Sequence, residues 1–122
     1  MNALLVEDDD AIVEYLDFCL KKLGYTVTIA RDGMAALDCC RDKVFDWVIC
    51  DIRMPRLSGI SFISNVRRIA PGATSRIIVM SSMDDRAVKA EALGVGAEIF
   101  LVKPVTMQVL REILASPNPA AS

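Results

Sequence analysis

Ala3-Leu4-Leu5-Val6 runs straight into Glu7-Asp8-Asp9-Asp10. Short apolar runs of this kind read as strands buried on both faces, as in a parallel sheet. The junction recurs: Val48-Ile49-Cys50 precedes Asp51, and Ile99-Phe100-Leu101-Val102 precedes Lys103-Pro104. In open parallel sheets the chemistry sits just beyond the carboxyl ends of the strands. The acids and the lysine are therefore expected at one edge of one sheet. Clustered acids repel, and unpaired buried charge is costly, so a cation is wanted there. Oxygen-only ligands suit a hard divalent ion such as Mg²⁺. Lys103 adds a fixed positive charge, and a dianionic phosphoryl group would complete the balance.

Outward from these junctions the chain alternates strand and helix. Ala11, Ile12, Tyr15, Leu16, Cys19, Leu20 and Leu23 recur at helical spacing. Asp9 or Asp10 can cap that helix, and Gly24 suits its C′ position. Residues 25–30 read as a second strand, and Asp32-Gly33 opens a helix through Cys40. The third strand lies within 44–50, interrupted by Asp46. After the loop 51–59, Ile60, Ile63, Val66 and Ile69 continue as a helix that Pro71-Gly72 stops. Ile77 to Met80 is a fourth strand, and Asp84 to Leu93 a helix ended by Gly94. Ile99 to Val102 is the fifth strand, and Thr106 to Leu114 the last helix. Five strand–helix repeats require right-handed crossovers, hence an α/β parallel sheet with helices on both faces. Residues 1–114 form one domain, and 115–122 have the composition of a tail or the start of a linker.

The 122 residues suffice for one domain, and 53% hydrophobic content predicts a substantial core. A net charge of −2 without a Lys/Arg run argues against nucleic-acid binding. The start carries no basic leader, and no stretch is long enough to span a bilayer, so the cytoplasm is the expected compartment. Cys19, Cys39, Cys40 and Cys50 form no C-x-x-C pair and read as small hydrophobes. With no histidine, the chain can carry no phosphohistidine and no mixed Cys/His zinc site.

Val6-Glu7-Asp8-Asp9, Asp51-Ile52-Arg53-Met54-Pro55, Ser81 and Val102-Lys103-Pro104 together resemble the bacterial two-component response-regulator receiver domain. The resemblance runs from Asn2 to about Leu114. It implies a flavodoxin-like fold with strand order 2-1-3-4-5. Asp51 would accept a phosphoryl group from a partner histidine kinase or histidine phosphotransfer protein. Mg²⁺ would be held by Asp8, Asp51 and the backbone carbonyl of Arg53, with Glu7 acting through an ordered water. Ser81 would bond a phosphoryl oxygen, Lys103 would pair with the phosphate, and Phe100 would be the aromatic switch. The Lys103–Pro104 peptide would be cis. Arg53 and Met83 would occupy positions that tune the lifetime of the acyl phosphate.

The implied role is that of a signalling domain that catalyses only its own phosphorylation and slow dephosphorylation. Its output would pass to a downstream protein or a covalently linked effector. Glu7, Ser81 and Phe100 stand where Asp, Thr and Tyr are commoner in the family; Phe100 lacks the hydroxyl of a tyrosine switch. The lone Trp47, on the strand of Asp51, is a candidate fluorescent reporter.

The chemistry agrees with the resemblance. A carboxylate nucleophile has no proton to lose, so no general base is needed, and phosphoryl transfer asks mainly for positioning and charge neutralisation. An aspartate-nucleophile phosphatase would want a second acid where Arg53 stands. A nucleotide-binding domain would want a glycine-rich loop where Glu7-Asp8-Asp9 stands. The remaining alternative is a degenerate receiver acting as a protein-binding scaffold without phosphorylation.

Overall fold

Ten elements alternate in the computed structural model, which describes residues 1–69 and 75–115. They are β1 (Asn2–Val6), α1 (Asp10–Lys22), β2 (Thr26–Ala30), α2 (Gly33–Asp42), β3 (Trp47–Asp51), α3 (Gly59–Val66), β4 (Arg76–Ser81), α4 (Arg86–Gly94), β5 (Ile99–Val102) and α5 (Met107–Ala115). The five strands are parallel in the order β2-β1-β3-β4-β5, the expected flavodoxin-like topology.

The period-2 alternation of the strands divides the core in two. Leu4, Val6, Val48, Cys50, Ile77 and Val79 pack with residues of α2, α3 and α4. Ala3, Leu5, Trp47, Ile49, Ile78 and Met80 pack with α1 and Leu110 of α5. β1, β3 and β4 are covered on both faces, whereas the edge strands β2 and β5 are only partly buried. The register aligns Val6 with Cys50, Asp51 with Met80 and Ser81 with Val102. Four strands, β1, β3, β4 and β5, thus end almost level, which assembles the site.

The helix starts follow from side-chain caps. Asp9 accepts from the N–H groups of Ala11 and Ile12, Asp32 from Ala35, Ser58 from Ser61, and Asp85 from Ala87 and Val88. Each such cap contributes about 1 kcal/mol. Thr106 lies just outside α5 and accepts from the Val109 N–H.

Several helix and strand bounds differ from the sequence reading, each for a local reason. Gly24 does close α1 at φ +92°, but Tyr25 gives its N–H to Leu20 in that closing motif, so β2 begins at Thr26. The α3 helix stops at Val66, with Arg68 and Ile69 making tighter bonds to Asn65 and Val66. Ile69 still packs on the core, which prolongs the apolar period beyond the helix. Pro71-Gly72 and residues 116–122 lie outside the described residues. Gly94 does not end α4; it belongs to it. The turn is made at Gly96, φ +122°, where Gly96 N–H bonds to Leu93 and Ala97 N–H to Ala92, the paired bonds of a glycine C′. Asp84 precedes α4, because Asp85 is its cap.

Candidate functional site

Glu7 follows β1, Asp51 ends β3 and Lys103 follows β5. Oxygen atoms of Glu7, Asp8 and Asp51 all lie within 4.8 Å of one another. Lys103 Nζ stands 2.9 Å from Glu7 Oε2 and 3.3 Å from Asp51 Oδ1. Glu7 and Asp51 are buried and Asp8 is exposed. The sheet therefore brings together four of the residues singled out from the sequence. Asp9 and Asp10 are not among them: Asp9 caps α1, and Asp10 pairs with Arg31.

Three carboxylates against one ammonium leave the cluster negative. Burial raises the Glu7 pKa above its ordinary 4.5; the Lys103 hydrogen bond pulls it down and the charge of Asp51 pushes it further up. For Lys103, burial alone would lower the pKa, but the Glu7 hydrogen bond and the Asp51 charge outweigh it and leave the pKa raised. Oxygen donors with an excess of negative charge and one solvent-exposed member fit a hard dication that keeps several waters.

Ser81, expected just after β4, is the last residue of that strand and is buried. Its hydroxyl accepts from the Met83 N–H at 3.1 Å and donates to the Met83 carbonyl at 3.0 Å. Arg53 extends its guanidinium over the same loop, 3.7 Å from Met83 Sδ. A groove of about 370 Å³ between the starts of α3 and α4 is lined by Arg53, Ser58, Ser81, Met83 and Asp85, among others. Phe100, opposite Val79 on β5, is half-buried and packs on the α3–α4 side of the core. The Lys103–Pro104 peptide is cis, as the resemblance implied.

Three contributors escaped the sequence reading. A Cβ on Gly59 would lie 2.7 Å from the Asp51 carbonyl oxygen and 2.9 Å from Ile52 Cα, so the loop after Asp51 folds tightly only around glycine. Its signal was a glycine directly after the helix-capping Ser58. The Lys103 N–H donates to the Ser81 carbonyl at 2.7 Å, locking β5 to β4 beside the site. Tyr15 Oη accepts from the Met107 N–H at 3.0 Å and joins α1 to the start of α5. Nothing local marks either of the last two contacts.

A family model, response regulator receiver domain, matches residues 3–115. The transcriptional regulatory protein ZraR of Klebsiella oxytoca is 36% identical over 115 residues, which are 94% of this chain and 26% of that protein. The Regulator of RpoS of Escherichia coli K12 is 36% identical over 112 residues, 91% of this chain and 33% of that protein. The chain thus spans about a quarter to a third of these relatives. Among solved structures, the chemotaxis response regulator CheY4 of Vibrio cholerae has a TM-score of 0.87 at 31% identity, covering 93% of this chain and 94% of that one. The receiver domain of sensor histidine kinase PA1611 from Pseudomonas aeruginosa PAO1 has a TM-score of 0.86 at 29% identity, covering 93% of each chain; its crystal structure has a magnesium ion coordinated in the active site cleft. Among the described residues of the present chain, no helix is long and apolar enough to cross a membrane.

Proposed function

Because this chain belongs to the response regulator receiver domain family, we propose that Asp51 accepts a phosphoryl group from the phosphohistidine of a partner kinase or phosphotransfer protein. The supporting observation is the convergence of Asp51, Asp8, Glu7 and Lys103 at adjacent strand ends. In the step, a bond forms between an Asp51 carboxylate oxygen and phosphorus while the bond from phosphorus to the histidine nitrogen breaks. The electron pair of that bond leaves with the imidazole. The Lys103 ammonium faces the incoming phosphoryl oxygens and offsets their charge. Asp8 and Asp51, with the Arg53 carbonyl, would hold Mg²⁺, which when bound neutralises charge spread over the phosphoryl oxygens. Ser81 would leave Met83 to bond one of these oxygens, and Phe100 would turn inward as the α4–β5–α5 face rearranges. The recipient of that change is a downstream protein or an effector in the same polypeptide, in the cytoplasm.

The test is phosphorylation with Mg²⁺ and acetyl phosphate. One acid-stable, base-labile phosphoryl group is expected at Asp51 and is abolished in Asp51→Asn. Labelling that persists in Asp51→Asn at an undiminished rate would remove Asp51 as acceptor. Absence of labelling in the unaltered chain, from small donors and kinases alike, would instead favour the scaffold reading.

A further inference from the structure

We propose that Met83 is a site of reversible oxidation, and that its sulfoxide ties the loop after β4 to Arg53 and so holds the domain in its resting arrangement. This rests on the receiver reading, to which it adds a response to peroxide.

Met83 is 52% exposed, whereas Met80 on β4 is fully buried. The Met83 sulfur lies 3.7 Å from Nη2 of Arg53, itself an exposed residue. A thioether is a weak acceptor, so this contact holds little as it stands. The two residues belong to different loops, Arg53 to the one after β3 and Met83 to the one after β4, and both line the groove between the starts of α3 and α4.

Hydrogen peroxide or an organic hydroperoxide is the oxidant. A lone pair on the sulfur attacks one peroxide oxygen, and the sulfur–oxygen bond forms as the oxygen–oxygen bond breaks. The sulfur gives up two electrons; the departing oxygen takes them and leaves, after a proton shift, as water or an alcohol. The product is a neutral, polar sulfoxide, and methionine sulfoxide reductases reverse the step. Its oxygen is a far better acceptor than the thioether. A charge-assisted bond of about 2.8 Å to that oxygen needs a sulfur–nitrogen distance of about 3.8 Å. The observed 3.7 Å already matches it, so Arg53 can take the oxygen without a shift of either backbone.

Arg53 follows a firmly held residue: the Ile52 N–H donates to the Met80 carbonyl at 2.8 Å, and the Ile52 carbonyl accepts from the Gly59 N–H at 3.0 Å. Met83 is on the side that moves. Its N–H and carbonyl both bond the Ser81 hydroxyl, at 3.1 and 3.0 Å. A phosphoryl group on Asp51 draws Ser81 away only as those bonds break and the loop follows. A thioether lets the loop go; a sulfoxide bonded to a guanidinium holds it. The bridge exists in the resting arrangement and not in the rearranged one, which is the differential contact that a shifted equilibrium requires.

The experiment is limited oxidation of the full chain with hydrogen peroxide, located by tandem mass spectrometry and followed by NMR. Met83 should gain one oxygen at least threefold faster than the half-buried Met54 and Met107. Without any phosphoryl mimic, the guanidinium protons of Arg53 should then exchange at least threefold more slowly. With beryllofluoride, amide shifts at residues 83–85 and in α4 should fall to less than half of those in the reduced chain, and a methionine sulfoxide reductase should restore them. Met83→Leu should respond to beryllofluoride equally before and after peroxide. Met83→Gln, whose amide oxygen stands in for the sulfoxide, should respond weakly without peroxide. An oxidised chain whose Arg53 protons and beryllofluoride response match the reduced chain would overturn the proposal. So would resistance of Met83 to peroxide while Met54 and Met107 oxidise. A response lost on oxidation of Met83→Leu or of Arg53→Ala would also overturn it, since the bridge could not then be the cause. The bridge is read without phosphoryl mimic, so failure of Asp51 as acceptor would be seen separately, in the reduced chain.

Discussion

Ser81 and Met83 hold each other by two hydrogen bonds: the Ser81 hydroxyl accepts from the Met83 N–H and donates to its carbonyl, at 3.1 and 3.0 Å. The hydroxyl cannot donate to a phosphoryl oxygen while its proton is committed to Met83. A charged acceptor forms the stronger bond, so a phosphoryl group on Asp51 should draw Ser81 away and release Met83, and with Met83 its contact to Arg53.

Ser81→Ala should therefore still accept phosphate but couple it poorly to residues 83–85 and α4. The loss of two hydrogen bonds should cost about 1–3 kcal/mol in stability. With beryllofluoride as phosphoryl mimic, amide shifts at residues 83–85, in α4 and at Phe100 should change less than half as much as in the unaltered chain. Distant shifts that survive intact in Ser81→Ala would mean that coupling takes another route.

The single tryptophan should be a poor reporter of the metal. Trp47 begins β3 and Asp51 ends it, so the strand rise separates them by about 13 Å. Trp47 is 1% exposed and its ring lies 4.0 Å from the Arg76 guanidinium, at the amino end of the sheet. Sharing a strand with Asp51 does not make it a neighbour. Titration with Mg²⁺ should leave its fluorescence within a few per cent, while amides around Asp8 and Asp51 shift. In Asp8→Asn the affinity read from those amides should fall roughly tenfold, or about 1.4 kcal/mol. A large tryptophan response would show that binding reorganises the whole strand.

Much of the site was legible because a parallel sheet collects strand ends. Once Val6, Cys50 and Val102 were read as ending buried runs, Glu7, Asp51 and Lys103 had to meet. Asp9, Asp32 and Gly24 were legible for a simpler reason, since capping acts within three residues. The helix ends were less legible. Ile69 continues the apolar period without being helical, because a residue beyond a helix can still pack on the core. Gly94 looked like a terminator, yet of the two glycines at the end of α4 it is Gly96 that takes a positive φ. Distant pairing away from the strand ends left no mark. Arg67 donates to the carbonyls of Gly96 and Ser75, tying α3 to the turn before β5, and its own position gives no hint of this.

Two glycines should respond oppositely to alanine. In Gly59→Ala the new methyl meets backbone on two sides, the Asp51 carbonyl and Ile52 Cα, neither of which can yield without moving the acceptor. Destabilisation of about 1–3 kcal/mol is expected, with slower phosphorylation of Asp51. Gly94 lies within α4, and a Cβ there meets nothing within 4 Å. Gly94→Ala should stabilise the chain by up to about 1 kcal/mol through helix propensity. Urea denaturation of both variants checks the pair, and equal effects would contradict the close approach at Gly59.

Removing Lys103 should make stability depend on pH in a specific direction. Burial raises the Glu7 pKa, with Asp51 adding to it, and Lys103 is what pulls it down. In Lys103→Met that restraint is gone, so Glu7 should hold its proton to a higher pH than in the unaltered chain. Between the ordinary 4.5 and that folded value, the native state binds a proton that the unfolded state lacks, so the variant's stability rises as pH falls. In the unaltered chain the raised Lys103 pKa contributes stability that is present in full below its ordinary 10.5 and is lost only as pH climbs through its folded value. The stability gap between the two proteins should therefore be widest near pH 7–8, roughly 2–3 kcal/mol, and narrow toward pH 5. Urea melts across that range, with a chelator present to exclude divalent cations, measure it directly. A gap that stays constant from pH 5 to 8 would show that Lys103 does not restrain the charge of Glu7.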